Sequence, residues 1–146
     1  MTRNIVLLVA RVLLSAIFIA AGVEKFGNIA GTAGYIASVG LPAPTALAWL
    51  SGIFETVTGI AILVGFMTRY AAWALAAFCV FTAVMFHSGP INIPDFPAAA
   101  NGMLTMMNQI MMMKNLALAG GFLVLSVAGA GAWSVDARRG AVPAHA

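Results

Sequence analysis

Glu55 lies about eleven residues from either end of an apolar stretch, roughly 16 Å deep if that stretch is a helix crossing a membrane. A carboxyl group at that depth must be protonated, paired or turned inward, and in any of those states it can handle protons. His87 is the second proton carrier, since an imidazole ordinarily changes charge between about pH 5 and 8. Arg11, Lys25, Lys114 and Asn115 add hydrogen-bond donors near the ends of the same apolar stretches. Glu55 and His87 are therefore the candidate catalytic residues, and Arg11, Lys25, Lys114 and Asn115 the candidates for binding a substrate.

Depth sorts these groups. Arg11 lies roughly 9 Å in from the end that carries the N-terminus, about 7 Å short of Glu55, which an extended arginine bridges. An Arg11–Glu55 pair is the expectation; its plainest role would be to fix helix register. Glu24, Lys25, His87, Lys114 and Asn115 gather instead at the opposite rim, with Asn108 and Gln109 up to two turns beyond. Such a rim, with Glu55 beneath it, is a funnel for a polar headgroup whose apolar tail reaches into the bilayer. The competing reading is that charges gather where water is, with Lys25 and Lys114 snorkelling outward.

The elements that must position these residues are apolar stretches at 5–23, 45–66, 70–86 and 116–133, each close to the roughly 20 residues that span a hydrocarbon core. With 62% hydrophobic and 8% charged residues, a water-soluble fold would have nothing to cover itself with. The expected class is all-α: a polytopic membrane protein, a four-helix transmembrane bundle over residues 1–136, with 137–146 a short disordered tail holding His145. Ala20-Ala21-Gly22 resembles a signal-peptidase site, but Arg11 interrupts the apolar region such a signal needs, so this segment stays as the first helix. Arg3, Arg69, Arg138 and Arg139 fall on one side and only Lys25 and Lys114 on the other, which puts both termini in the cytoplasm of a bacterial inner membrane. The connections on the other side are longer. Gly27 to Leu41 carries the spacing of a short surface helix, and Pro90, Pro94 and Pro97 forbid a regular helix until about Met103. From there a helix can run unbroken into the last span. Trp49 and Trp133 sit near helix ends as interfacial anchors do.

Several chemistries are excluded. The net charge of +3 rests on seven basic and four acidic residues scattered along the chain, so no nucleic-acid surface exists. Cys79 is the lone cysteine and makes no internal disulfide; it reads as a packing residue. A bis-histidine haem lacks its second intramembrane histidine, and no zinc, phosphate-loop or dinucleotide motif is present. The methionines at 103, 106, 107 and 111–113 suit Cu(I) by softness, yet they lack a polar matrix and read as apolar filler. No metal site is expected.

The order of residues carries a resemblance. Ala10-Arg11, Gly22-Val23-Glu24-Lys25-Phe26, Tyr35, Gly40-Leu41-Pro42, Glu55, Gly65-Phe66-Met67-Thr68-Arg69, Phe86-His87, Lys114-Asn115-Leu116-Ala117-Leu118-Ala119-Gly120-Gly121 and Ser134-Val135-Asp136 together resemble the DoxX family of small bacterial membrane proteins. The chain departs from that pattern at Met111-Met112-Met113, where an aromatic is usual before Lys-Asn, and at Gly129-Ala130-Gly131, where Gly-Pro-Gly is usual. The resemblance implies a four-helix bundle with functional polar positions at Arg11, Lys25, Glu55, His87 and Lys114-Asn115. It also implies a link, in some relatives, to quinone-dependent oxidoreductases or to thiol and oxidative-stress systems.

The leading expectation is thus a membrane subunit that binds a quinone or similar redox-active molecule and receives electrons from a partner oxidoreductase. Lys25, His87 or Lys114 would hold the carbonyl oxygens and Glu55 would handle protons. The alternative is a non-enzymatic assembly or anchoring protein, or a small-solute carrier. Either is compatible with a homo-oligomer in the lipid bilayer.

Overall fold

The computed structural model describes residues 1–140, and every element in it is helical. The helices are α1 (Thr2–Gly27), α2 (Ile29–Ser38), α3 (Pro44–Val64), α4 (Thr68–His87), α5 (Ala98–Ala128) and the single turn α6 (Val135–Arg138). α1, α3, α4 and α5 are each long and apolar enough to cross a membrane. The expected four-helix membrane bundle is the observed one. The first residues of the expected tail complete the single turn α6, and residues 141–146, with His145, lie outside the described residues.

The spans match expectation apart from the ends of the last. α5 starts at Ala98, directly after Pro97, and runs for 31 residues. It stops at Ala128, short of Trp133, because Gly129 takes φ 77° and turns the chain out of the helix. Trp133 therefore sits in the turn that follows and not on a helix end. The expected surface helix is α2, capped by the Asn28 side chain, which accepts from the Gly31 amide at 3.0 Å. Ala33 and Ile36 of α2 are buried beside Ala48 of α3.

The bundle is two tight pairs. α1 packs along α3, and α4 along α5, with far sparser contact between the pairs. At Gly22 the α1 and α3 backbones approach so closely that a Cβ would run into the Thr56 hydroxyl and lie 2.8 Å from the Gly52 carbonyl oxygen. Small residues at a helix crossing supply the van der Waals contact that drives association where lipid removes the hydrophobic incentive. Between the pairs the core is aromatic: Phe18 meets Phe122 edge-on at 5.3 Å, and Phe54 lies 5.0 Å from Phe78.

The end of the bundle bearing the N-terminus is closed by a polar knot. Gly65, at φ 69°, ends α3 with its own amide and that of Phe66 returned to Ile62 and Ala61. Two residues on, the Asp136 carboxylate accepts from the Met67 and Thr68 amides at 2.8 and 2.9 Å, capping α4 from outside it. The Asp136 amide donates to the Gly65 carbonyl at 2.8 Å. Ser134 caps α6 through the Ala137 amide.

Candidate functional site

Arg11 belongs to that knot. Its side chain is 1% exposed, and Nη2 donates to the Trp133 carbonyl. Asp136 lies within electrostatic reach. Nε and Nη1 are buried with no hydrogen-bond partner among the described residues, as is the Thr68 hydroxyl. The guanidinium presses against Gly65 so closely that a Cβ there would collide with Nη1.

The expected Arg11–Glu55 pair is therefore wrong. Glu55 binds Lys25, with Nζ 2.7 Å from Oε2. One rule of geometry accounts for both facts: the Cα–Cβ bonds of a helix tilt toward its N-terminus. On α1 that direction carries Arg11 away from Glu55, toward the knot, and carries Lys25 down from the far end toward Glu55. Lys25 also reaches the Ala21 carbonyl at 3.5 Å, one turn back along its own helix. An ammonium that turns back along its helix to a buried carboxylate is not snorkelling, so the competing reading fails for Lys25.

At the far end the two helix pairs diverge around a cavity of about 910 Å³. Lys25, Glu55, His87, Lys114 and Asn115 all line it. Arg11 does not. The remaining wall is mostly apolar, with Phe54, Phe78, Phe81 and Leu118 from α3, α4 and α5. Glu55 is 5% exposed and sits midway along α3, where the depth arithmetic put it. The buried Cys79 forms part of the wall beside Phe78.

Of the other polar groups, Asn115 and His87 are each held by a neighbour. Asn115 donates to the Thr82 hydroxyl at 3.1 Å, tying α5 to α4 at cavity level. His87 Nδ1 lies 2.7 Å from Asn108 Oδ1, while the Asn108 amide nitrogen donates to the Gly89 carbonyl at 3.0 Å. Since Asn108 presents its oxygen, Nδ1 is the donor in this bond, and the neutral ring so held has Nε2 as its acceptor. Asn108 is buried and orients the candidate base, a role that its placement near the rim hinted at.

α2 crosses the mouth. The Tyr35 hydroxyl donates to the Phe86 carbonyl at 3.2 Å, and the two rings lie 5.3 Å apart. Partial burial raises the Tyr35 phenol above its ordinary range, so it stays a donor. This bridge between the helix pairs was legible only as an aromatic in the loop. Nothing in residue spacing says that Tyr35 faces Phe86.

With the geometry in place, comparison with known proteins decides the family. The DoxX family model matches residues 6–88, more than half of the chain. The chain belongs to the DoxX family. Among DoxX relatives, the chain is 39% identical over 134 residues to Inner membrane protein YqjF of Escherichia coli strain K12, covering 92% of each. It is 36% identical to Inner membrane protein YphA of the same organism, covering 93% of this chain and 91% of the relative. A membrane protein of Mycobacterium tuberculosis strain H37Rv is 29% identical over 88% of this chain and 77% of its own length. No solved structure matches. The four apolar helices and these relatives make this DoxX protein a multi-pass inner membrane protein.

Proposed function

We propose that this protein is the membrane subunit of a quinone-linked oxidoreductase or redox-stress system, and that its cavity binds a quinone-like small molecule. The observation that supports this reading is the convergence of Lys25, Glu55, His87, Lys114 and Asn115 on one cavity of about 910 Å³. Small-molecule sites run from about 300 to 1,000 Å³ and combine apolar walls with a few convergent polar groups. The aromatic wall suits a ring and the space beyond it a tail. Lys114 and Asn115 offer donors to a carbonyl oxygen, and His87 Nε2 accepts the proton of a ring hydroxyl. Glu55, bonded to Lys25, is the second group through which a proton passes. A lone buried thiol cannot cycle as a disulfide, so electrons are assigned to a partner oxidoreductase. The basic residues Arg3, Arg69, Arg138 and Arg139 support a cytoplasmic position for both termini, with the cavity mouth turned outward.

The direct Lys25–Glu55 bond favours a second reading, a non-enzymatic assembly or anchoring protein or a small-solute carrier, in which the pair only fixes α1 against α3. Purification of the full chain from its native membrane decides between them, with mass spectrometry of co-purifying proteins and of extracted quinones. The quinone reading expects an oxidoreductase partner and a bound quinone that His87→Ala with Lys114→Ala removes. A well-folded double variant with full partner-dependent turnover would sink it.

A further inference from the structure

Charge is unevenly matched inside the cavity. Lys25 and Lys114 bring two ammoniums to its wall, and Glu55 is the buried carboxylate among its lining residues. Lys25 has taken that carboxylate at 2.7 Å. Lys114 lies within electrostatic reach of Glu55 but makes no hydrogen bond or ion pair with any described residue. Glu24, the other acidic residue of the lining, stands exposed on the last turns of α1, where water screens its charge. Lys114 is partly buried, on the cavity wall, and lies 14 residues before the end of the 31-residue α5, well inside that helix and not at either tip. An ammonium within an apolar membrane bundle is costly unless something compensates it.

We propose that the cavity takes its ligand as an anion: an amphiphile with one acidic head, a carboxylate or an ionised ring hydroxyl, held by the Lys114 ammonium. The apolar remainder lies against Phe54, Phe78 and Phe81. Asn115, fixed by Thr82, keeps a second amide hydrogen for the same head. Lys25 stays with Glu55 and sets the limit of one negative charge, because a second would face that carboxylate. The proposal rests on the cavity being the ligand site and does not require the ligand to be a quinone.

The test is binding to the full chain in nanodiscs, corrected for partition into empty discs, with decanoate, decanol, decyltrimethylammonium and decylubiquinone as probes. A charge-assisted bond to Lys114 makes decanoate bind about tenfold or more tighter than decanol. Lys114→Gln abolishes that preference, so that decanoate binds no tighter than decanol, while Lys114→Arg keeps it. Equal binding of decanoate and decanol to the wild-type protein, or tighter binding of decyltrimethylammonium, overturns the proposal without recourse to any variant. Retention of the preference in Lys114→Gln also overturns it. Decylubiquinone reports separately: if decanoate is preferred and decylubiquinone does not bind, the anion site stands and the quinone reading falls. If decylubiquinone binds and decanoate shows no preference, the reverse holds.

Discussion

Two polar clusters interrupt the apolar bundle, and they are built in opposite ways. In the knot, side chains are spent on backbone. Asp136 holds the Met67 and Thr68 amides, Arg11 holds the Trp133 carbonyl, and Gly65 leaves no room for a single added carbon. In the cavity, side chains pair chiefly with one another, as Lys25 with Glu55, His87 with Asn108 and Asn115 with Thr82, and Lys114 faces the open volume unbonded to any described residue. Unbonded donors alone do not separate the two clusters, since Arg11 too leaves Nε and Nη1 without a partner among the described residues; Arg11 is sealed in, whereas Lys114 lines a cavity. The chemical type of the residue does not separate the two. Arg11 and Lys114 are both cations in apolar helices, but Arg11 holds a backbone carbonyl with no space around it, and Lys114 stands beside open volume.

The largest expected effect sits where the two designs overlap, in the Lys25–Glu55 bond. Glu55→Ala strands the Lys25 ammonium and should cost about 3–5 kcal/mol of stability, whereas Lys25→Met with Glu55→Met should cost less than the sum of the single changes. Additive losses in a double-mutant cycle of thermal unfolding in detergent would show that the pair does not act as a unit. Gly65→Ala comes next, at about 2–4 kcal/mol, from left-handed backbone strain and from a Cβ driven against Arg11. Its melting temperature should fall while any protein that remains folded binds cavity ligands unchanged.

Asp136→Ala leaves two amides at the start of α4 without their acceptor and should cost about 1–3 kcal/mol. Hydrogen exchange should rise at Met67 and Thr68 and stay level at His87. A rise at both ends would mean that the clusters are coupled and the comparison fails. The smallest effect on stability belongs to Lys114→Gln, within about 0.5 kcal/mol, because no described residue loses a partner. A larger loss would move Lys114 into the fastening class.

The spans and the surface helix were legible because hydropathy and Gly/Pro punctuation act locally. Glu55 was correctly placed at mid-depth by counting residues, and the rim positions Lys25, His87, Lys114 and Asn115 do converge on one volume. The Arg11–Glu55 pairing failed because separation along an axis was counted without direction. Reach toward a helix C-terminus works against the tilt of the Cα–Cβ bond. The same rule, applied to Lys25, would have found its true partner. Gly22 and Gly52 went unread because glycines a few turns apart on two helices say nothing of facing until the crossing is known. Asp136 was read as the end of the bundle, and its carboxylate proves to be a cap for a helix nearly seventy residues earlier. No local pattern marks so distant a partner.

That distance bears on how the molecule is made. Domains emerge from the ribosome N-terminal part first, at about 5–20 residues per second. The turn between α3 and α4 is synthesised long before Asp136, which follows the whole of α5. Until then the α4 amides wait without their carboxylate and the Arg11 guanidinium without the Trp133 carbonyl. The glycine-lined crossing of α1 and α3 depends on neither of those late residues. The seal at the terminal end needs Trp133 and Asp136, so a nascent chain that has sealed is one whose final span is already synthesised.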